Sequence, residues 1–118
     1  MLKKTLLAAL IGFALSLATH AAWAASFDCD RATAVDEKTV CAHRALNDMD
    51  VSMALLYSLD KKFLPMGGRD DLIGQQKAWL KSRSACAANV ACLSALYEQR
   101  IQALRQIIDT RVVTHGPF

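Results

Sequence analysis

Residues 72–104 read LIGQQKAWLKSRSACAANVACLSALYEQRIQAL, and the fold follows from this stretch. Leu72, Ile73, Gln76, Trp79, Leu80, Arg83 and Cys86 recur at steps of three and four, the stripe of an amphipathic helix. The pattern stops at Ala87-Ala88-Asn89, and the Asn89 side chain suits the N-cap of a following helix. Val90, Leu93, Leu96, Tyr97, Ile101, Leu104 and Ile108 then form a second stripe. A bond from Cys86 to Cys92 would span the short break and fix the two helices as an antiparallel hairpin. Gly74 weakens the first of them by about 1 kcal/mol relative to alanine, which packing must cover.

Upstream, Leu46, Met49, Met53, Leu56, Tyr57, Phe63 and Leu64 predict a helix over 46–64. Pro65-Met66-Gly67-Gly68 ends it and reads as the most flexible point of the domain. The next helix is expected to begin near Asp70-Asp71, whose carboxylates suit a helix start. A shorter first helix is predicted over 33–43, opened by a capping box of Thr33 and Asp36, with Val40 and Cys41 facing inward. Residues 25–32 form an extended lead-in carrying Cys29, and the tail from Thr114 to Phe118 reads as frayed. No segment alternates as a strand does over more than a few residues. The expected fold is all-α: a small bundle of about four helices, the last two a hairpin.

The N-terminus sets the compartment. Lys3 and Lys4 precede an apolar run from Leu6 to Ala18, about 13 residues against the roughly 20 that span a bilayer. Ala22 and Ala24 then supply the small side chains of a signal-peptidase site. Residues 1–24 are thus expected to be a cleavable signal peptide, and residues 25–118 a single exported domain, periplasmic or secreted. Cys29 follows Ser26-Phe27-Asp28 rather than a small-residue box, so no lipid anchor is expected, nor a membrane span after cleavage.

Without residues 1–24 the 14 basic residues fall to 12 against 11 acids. A net charge of +1 gives nucleic acid no support as a partner. Residues 25–76 carry 9 acids and 6 bases; residues 77–118 carry 2 acids and 6 bases. This asymmetry fits two ordinary solvated faces, or an acidic half that meets a cationic partner.

All four cysteines, Cys29, Cys41, Cys86 and Cys92, follow residue 24. In a short exported chain an even count reads as disulfides. Three connectivities are possible, and the spacing favours the local pairs Cys29–Cys41 and Cys86–Cys92. The C-x-x-C of a thiol oxidoreductase and the tight knuckles of a zinc site are both missing. His43 sits at a predicted helix end, His115 in the tail, and the serines lack a nucleophile-elbow context. Most aspartates fall near predicted helix ends, where capping and solvation account for them. The residues therefore predict no enzyme, no cofactor and no metal.

A binding reading rests on aromatics and arginines. Tyr57, Trp79 and Tyr97 lie on three apolar stripes, where core packing accounts for them, but a small bundle can leave part of Trp79 exposed. Arg83 lies one turn beyond Trp79 on the same face. Arg83 and Arg100 are placed to pair with Asp50 or Glu98 across the bundle. Trp79, Arg83, Arg100 and Asp50 are accordingly the candidate partner-binding residues.

These blocks resemble a known family. Ser26-Phe27-Asp28-Cys29, Glu37-x3-Cys41, and Leu46-x2-Met49-Asp50-x2-Met53-Ala54-x2-Tyr57 are similar to the lysozyme inhibitor LprI N-terminal-like family. So are Gln76-Lys77-Ala78-Trp79-Leu80-Lys81-x-Arg83-x-Ala85-Cys86 and Cys92-Leu93-x3-Tyr97-x2-Arg100-Ile101. The resemblance covers about residues 26–105. It implies an extracytoplasmic helical domain with two local disulfides, a protein partner, and inhibition of lysozyme as the activity. Ser84 departs from the aspartate usual after the arginine, and Val40 from the usual isoleucine. A non-inhibitory module for interaction or assembly in the bacterial envelope is the alternative, which a large exposed apolar patch around Trp79 and Met66 would favour.

Overall fold

The computed structural model describes residues 25–115. The expected signal peptide, residues 1–24, and the last three residues lie outside them. A 3-10 turn, Cys29–Arg31, leads into α1 (Val35–Ala42), α2 (Arg44–Phe63), α3 (Met66–Cys86) and α4 (Val90–Ile107). Beyond α4 the chain winds through a π-helical turn, Ile108–Val112, and a 3-10 turn, Val113–His115, in part of the tail expected to fray. No strand occurs among the described residues.

The long helices share a rule sharper than a 3.6-residue stripe. Their inward positions alternate steps of four and three: Leu46, Asp50, Met53, Tyr57 and Asp60 on α2, continued by Leu64 just past its end. The same steps give Leu72, Gln76, Trp79, Arg83 and Cys86 on α3, and Leu93, Tyr97, Arg100, Leu104 and Ile107 on α4. All of these are buried except half-buried Tyr57 and Ile107. This is the heptad spacing of left-handed helix packing, and here six of its positions hold Asp50, Asp60, Gln76, Arg83, Tyr97 and Arg100.

α2 runs antiparallel to α3, and α3 to α4, so α2 and α4 lie parallel and share the broadest interface of the bundle. α1 closes the end where α2 begins and α3 ends, touching both. Cys29–Cys41 ties the lead-in to α1, and Cys86–Cys92 ties α3 to α4, with Cα separations of 5.8 and 5.6 Å. Both pairs are the local ones the spacing favours.

Three local expectations are corrected. α1 begins at Val35 with Ala34 as a cap lacking a side-chain bond, so Thr33 and Asp36 form no capping box. Asp36 instead points inward to an arginine, an ion pair that outweighs a cap open to water. α3 begins at Met66, not near Asp70, with Pro65 as its N-cap. Gly67 and Gly68 lie in its first turn, and only Leu64 and Pro65 separate α2 from α3, because proline at a helix start removes a donor that has no partner there anyway. Phe63, Leu80 and Val90, placed on the inward stripes by their apolar character, are exposed, the polar heptad residues taking the interior instead.

The α3–α4 corner is a tight turn. The Asn89 N–H donates to the Cys86 carbonyl at 3.0 Å, and Ala87 holds φ 50°, ψ −121°. Those angles match the first central residue of a type II′ turn, a place that favours glycine. Asn89 caps α4 as its sequence position suggests, its side-chain oxygen accepting from the Cys92 N–H at 3.0 Å.

Candidate functional site

The centre of the bundle is charged. Arg83, 6% exposed, donates from Nε to Asp36 Oδ2 at 2.8 Å and from Nη1 to the Tyr97 hydroxyl at 3.4 Å. Its Nη1 also lies 3.8 Å from Asp50 Oδ1, and its Nη2 3.7 Å from Glu37 Oε1. Asp50 is fully buried; its Oδ1 accepts from the Tyr97 hydroxyl at 2.8 Å and its Oδ2 from the Ser26 N–H at 2.6 Å. Four helices and the lead-in therefore meet on one guanidinium.

Aromatic rings insulate the cluster. The Arg83 guanidinium carbon is 5.4 Å from the Phe27 ring centroid and 5.9 Å from that of Trp79. Trp79 meets Tyr97 edge to face at 5.0 Å and donates its indole N–H to the Leu96 carbonyl at 3.2 Å. Desolvation works against the Arg83 charge, but Tyr97 and Asp36 outweigh it and hold the guanidinium above its ordinary range. Burial, then Asp50, pushes the Tyr97 phenol up, so it stays a neutral donor.

A second polar layer lies nearer the α2–α3 corner. Arg100 Nε donates to Gln76 Oε1 at 2.9 Å, and Gln76 Nε2 to the Met53 sulfur at 3.2 Å. Asp60 is fully buried, and neither of its oxygens has a hydrogen-bond partner among the described residues; nor has Arg100 Nη2. Burial pushes the Asp60 carboxyl up to about 6 from 3.8, against the pull of Arg100. Burial likewise lowers Arg100, opposed by Tyr57 and Asp60.

Over the first layer runs a groove of about 370 Å³ between the lead-in, α2 and α3. Phe27, Met53, Tyr57, Ile73 and Leu80 give it apolar walls, with Arg83 at its base. Glu37 and Lys77 bring one charge of each sign to it.

The four candidate binding residues, Trp79, Arg83, Arg100 and Asp50, are thus brought inside, each no more than 8% exposed. Arg83 does face Asp50, but its shortest ion pair is with Asp36. Arg100 meets Gln76 rather than Glu98, which is exposed. Asp36, expected at a cap, and Asp60, expected in solvent, are buried, as is Asp50, expected to pair across the bundle. The four-three spacing of Asp50 and Asp60 within the α2 stripe is the signal that could have found two of them. His43 behaves as a histidine at a helix end should, its Nδ1 bonding the Thr39 carbonyl at 2.9 Å.

Among the described residues no three His, Cys, Asp or Glu side chains gather as a metal site requires, and no helix is long and apolar enough to cross a membrane. The arrangement defines a class: a small helical protein with two local disulfides and a charged interior beneath an apolar groove. The profile described as "Lysozyme inhibitor LprI" matches residues 29–104, and the chain belongs to that family. No curated protein and no solved structure matches it.

Proposed function

We propose that the protein works outside the cytoplasm as a non-catalytic binder of lysozyme. The observation that carries this reading is the family match over residues 29–104, which takes in both disulfides and the Asp36–Asp50–Arg83–Tyr97 cluster. Two disulfides in a chain of 118 residues support an oxidising compartment, as does the signal peptide expected over residues 1–24. In this reading Trp79, Arg83, Arg100 and Asp50 act through position, holding α2, α3 and the lead-in so that the groove keeps its shape. Contact with the enzyme falls to the rim, where Leu80 and Lys77 are exposed.

The test is the clearing of a cell-wall suspension by animal-type lysozyme, with and without oxidised protein beginning at Ala25. Dose-dependent inhibition at micromolar concentration is expected, and Leu80→Asp should weaken it at least tenfold with the melting temperature unchanged. Unaltered clearing in the presence of folded, oxidised protein would overturn the proposal.

An envelope interaction module is the second reading. Trp79 is too buried to form its apolar patch, but Met66 is 77% exposed and Phe63 49% exposed at the α2–α3 corner. Cross-linking from position 66 in cells separates the two, since lysozyme binding at the groove predicts no capture there.

A further inference from the structure

The Arg83 cluster is short of positive charge. Asp36, Glu37 and Asp50 share one guanidinium, and Asp50 is fully buried. Its Oδ2 is held by the backbone N–H of Ser26 at 2.6 Å, only one residue beyond the expected cleavage point. Three covalent bonds join the Ala25 nitrogen to that of Ser26, a contour of about 4.3 Å. The Ala25 nitrogen therefore lies within about 7 Å of the Asp50 carboxylate whatever the local dihedral.

We propose that cleavage after Ala24 completes this cluster: the α-ammonium freed on Ala25 becomes the second counter-charge for Asp50, tying export processing to the final stability of the fold. The step is hydrolysis of the Ala24–Ala25 amide by a signal peptidase. Water gives its hydroxyl to the Ala24 carbonyl carbon and a proton to the Ala25 nitrogen, which takes up a further proton at neutral pH. An uncharged amide nitrogen is thereby replaced by a cation beside a desolvated carboxylate, where Coulomb attraction is least screened. The other titratable and charged groups of the cluster are Asp36 and Glu37 from α1, Arg83 from α3 and Tyr97 from α4, and Lys77 from α3 lines the same groove as Ser26. Asp28, within the lead-in, is paired with Arg31 at 3.4 Å. Cys29–Cys41 pins the lead-in to α1 and keeps the new terminus from drifting away.

The inference rests on the expected cleavage and not on lysozyme binding, because its readouts are a terminus and a titration rather than inhibition. Protein expressed with residues 1–24 and collected after export should have the mass of a chain beginning at Ala25; any other terminus overturns the proposal. The α-amino group of that protein, followed by NMR, should titrate at least one unit above the ordinary 7.7–8.0. Titration within the ordinary range overturns it.

A form with Gly-Ser added ahead of Ala25 carries its ammonium farther off and should melt about 5 °C lower at pH 7. A group raised on folding stabilises below its unfolded pKa and loses that effect as pH rises through the folded one. The two forms should therefore converge by about pH 10, and identical melting from pH 6 to 10 sinks the idea. Asp50→Asn should abolish the difference; if that variant does not fold, the titration of the unaltered protein still decides.

Discussion

Arg83 is the residue on which the most depends. Removing one member of a buried ionic cluster strands the rest, at a typical cost of about 3–5 kcal/mol. Arg83→Ala leaves Asp36 and Asp50 desolvated without their guanidinium, so urea unfolding should show a loss of that size. Asp60 is the opposite case, a buried carboxyl whose oxygens have no hydrogen-bond partner among the described residues. Its folded pKa of about 6 lies above the unfolded 3.8, so its contribution is present below about pH 4 and is lost as pH rises through 6. Asp60→Asn should therefore raise the urea midpoint at pH 7 and change it little at pH 4. A lower midpoint at pH 7 would mean that attraction to Arg100 outweighs desolvation. The sequence placed Arg83 opposite Asp50 but not its closer partner Asp36, and only the four-three spacing pointed Asp60 inward. Asp36 and Arg83 stand 47 residues apart, and Asp60 beside Lys61 and Lys62 looks like part of a solvated helix end. Charge type speaks of solvent locally, whereas burial is decided by which helix arrives opposite.

At the scale of elements, helix existence was the legible part and helix starts the illegible one. Periodicity over ten or more residues marked all three long helices, since each must bury one face. The α3 start was missed because Gly67-Gly68 reads as a breaker, while Pro65 ahead of it opens the helix. Glycine costs there and at Gly74, but a methyl at 68 would rest in ordinary contact with Leu64, and nothing lies within 4 Å of where one would stand at 74. Gly74→Ala should thus stabilise by about 0.5–1 kcal/mol, read as a higher urea midpoint. The α3–α4 corner offers the reverse substitution. Ala87 at φ 50° bears a strain of about 1–3 kcal/mol that glycine does not, so Ala87→Gly should raise the melting temperature despite adding chain entropy. The disulfide pairing was readable because neighbouring cysteines flanked one obvious break. The groove was not, because it is made by three segments distant in the chain.

At the scale of the molecule, two small covalent loops support a modest core. In the chain-entropy view, closing the Cys29–Cys41 loop contributes about 3 kcal/mol and the shorter Cys86–Cys92 loop roughly 2. Replacing either pair by serine should lower unfolding free energy by those amounts, with the Cys29–Cys41 variant also loosening Ser26 and Phe27. Enhanced amide exchange at Ser26 would report that loosening, and unchanged exchange would show that Asp50 alone holds the lead-in. Each bridge, however, stays within its own half of the chain: one between the lead-in and α1, the other between α3 and α4. The interface of α2 with the hairpin is closed only by packing and by the charged layers, and the halves are joined through Leu64 and Pro65 alone. Two copies can therefore trade halves across that joint, each hairpin receiving α2 from the other chain, with every sulfur–sulfur bond intact. Oxidation guards the integrity of each half but gives no protection against intertwined dimers.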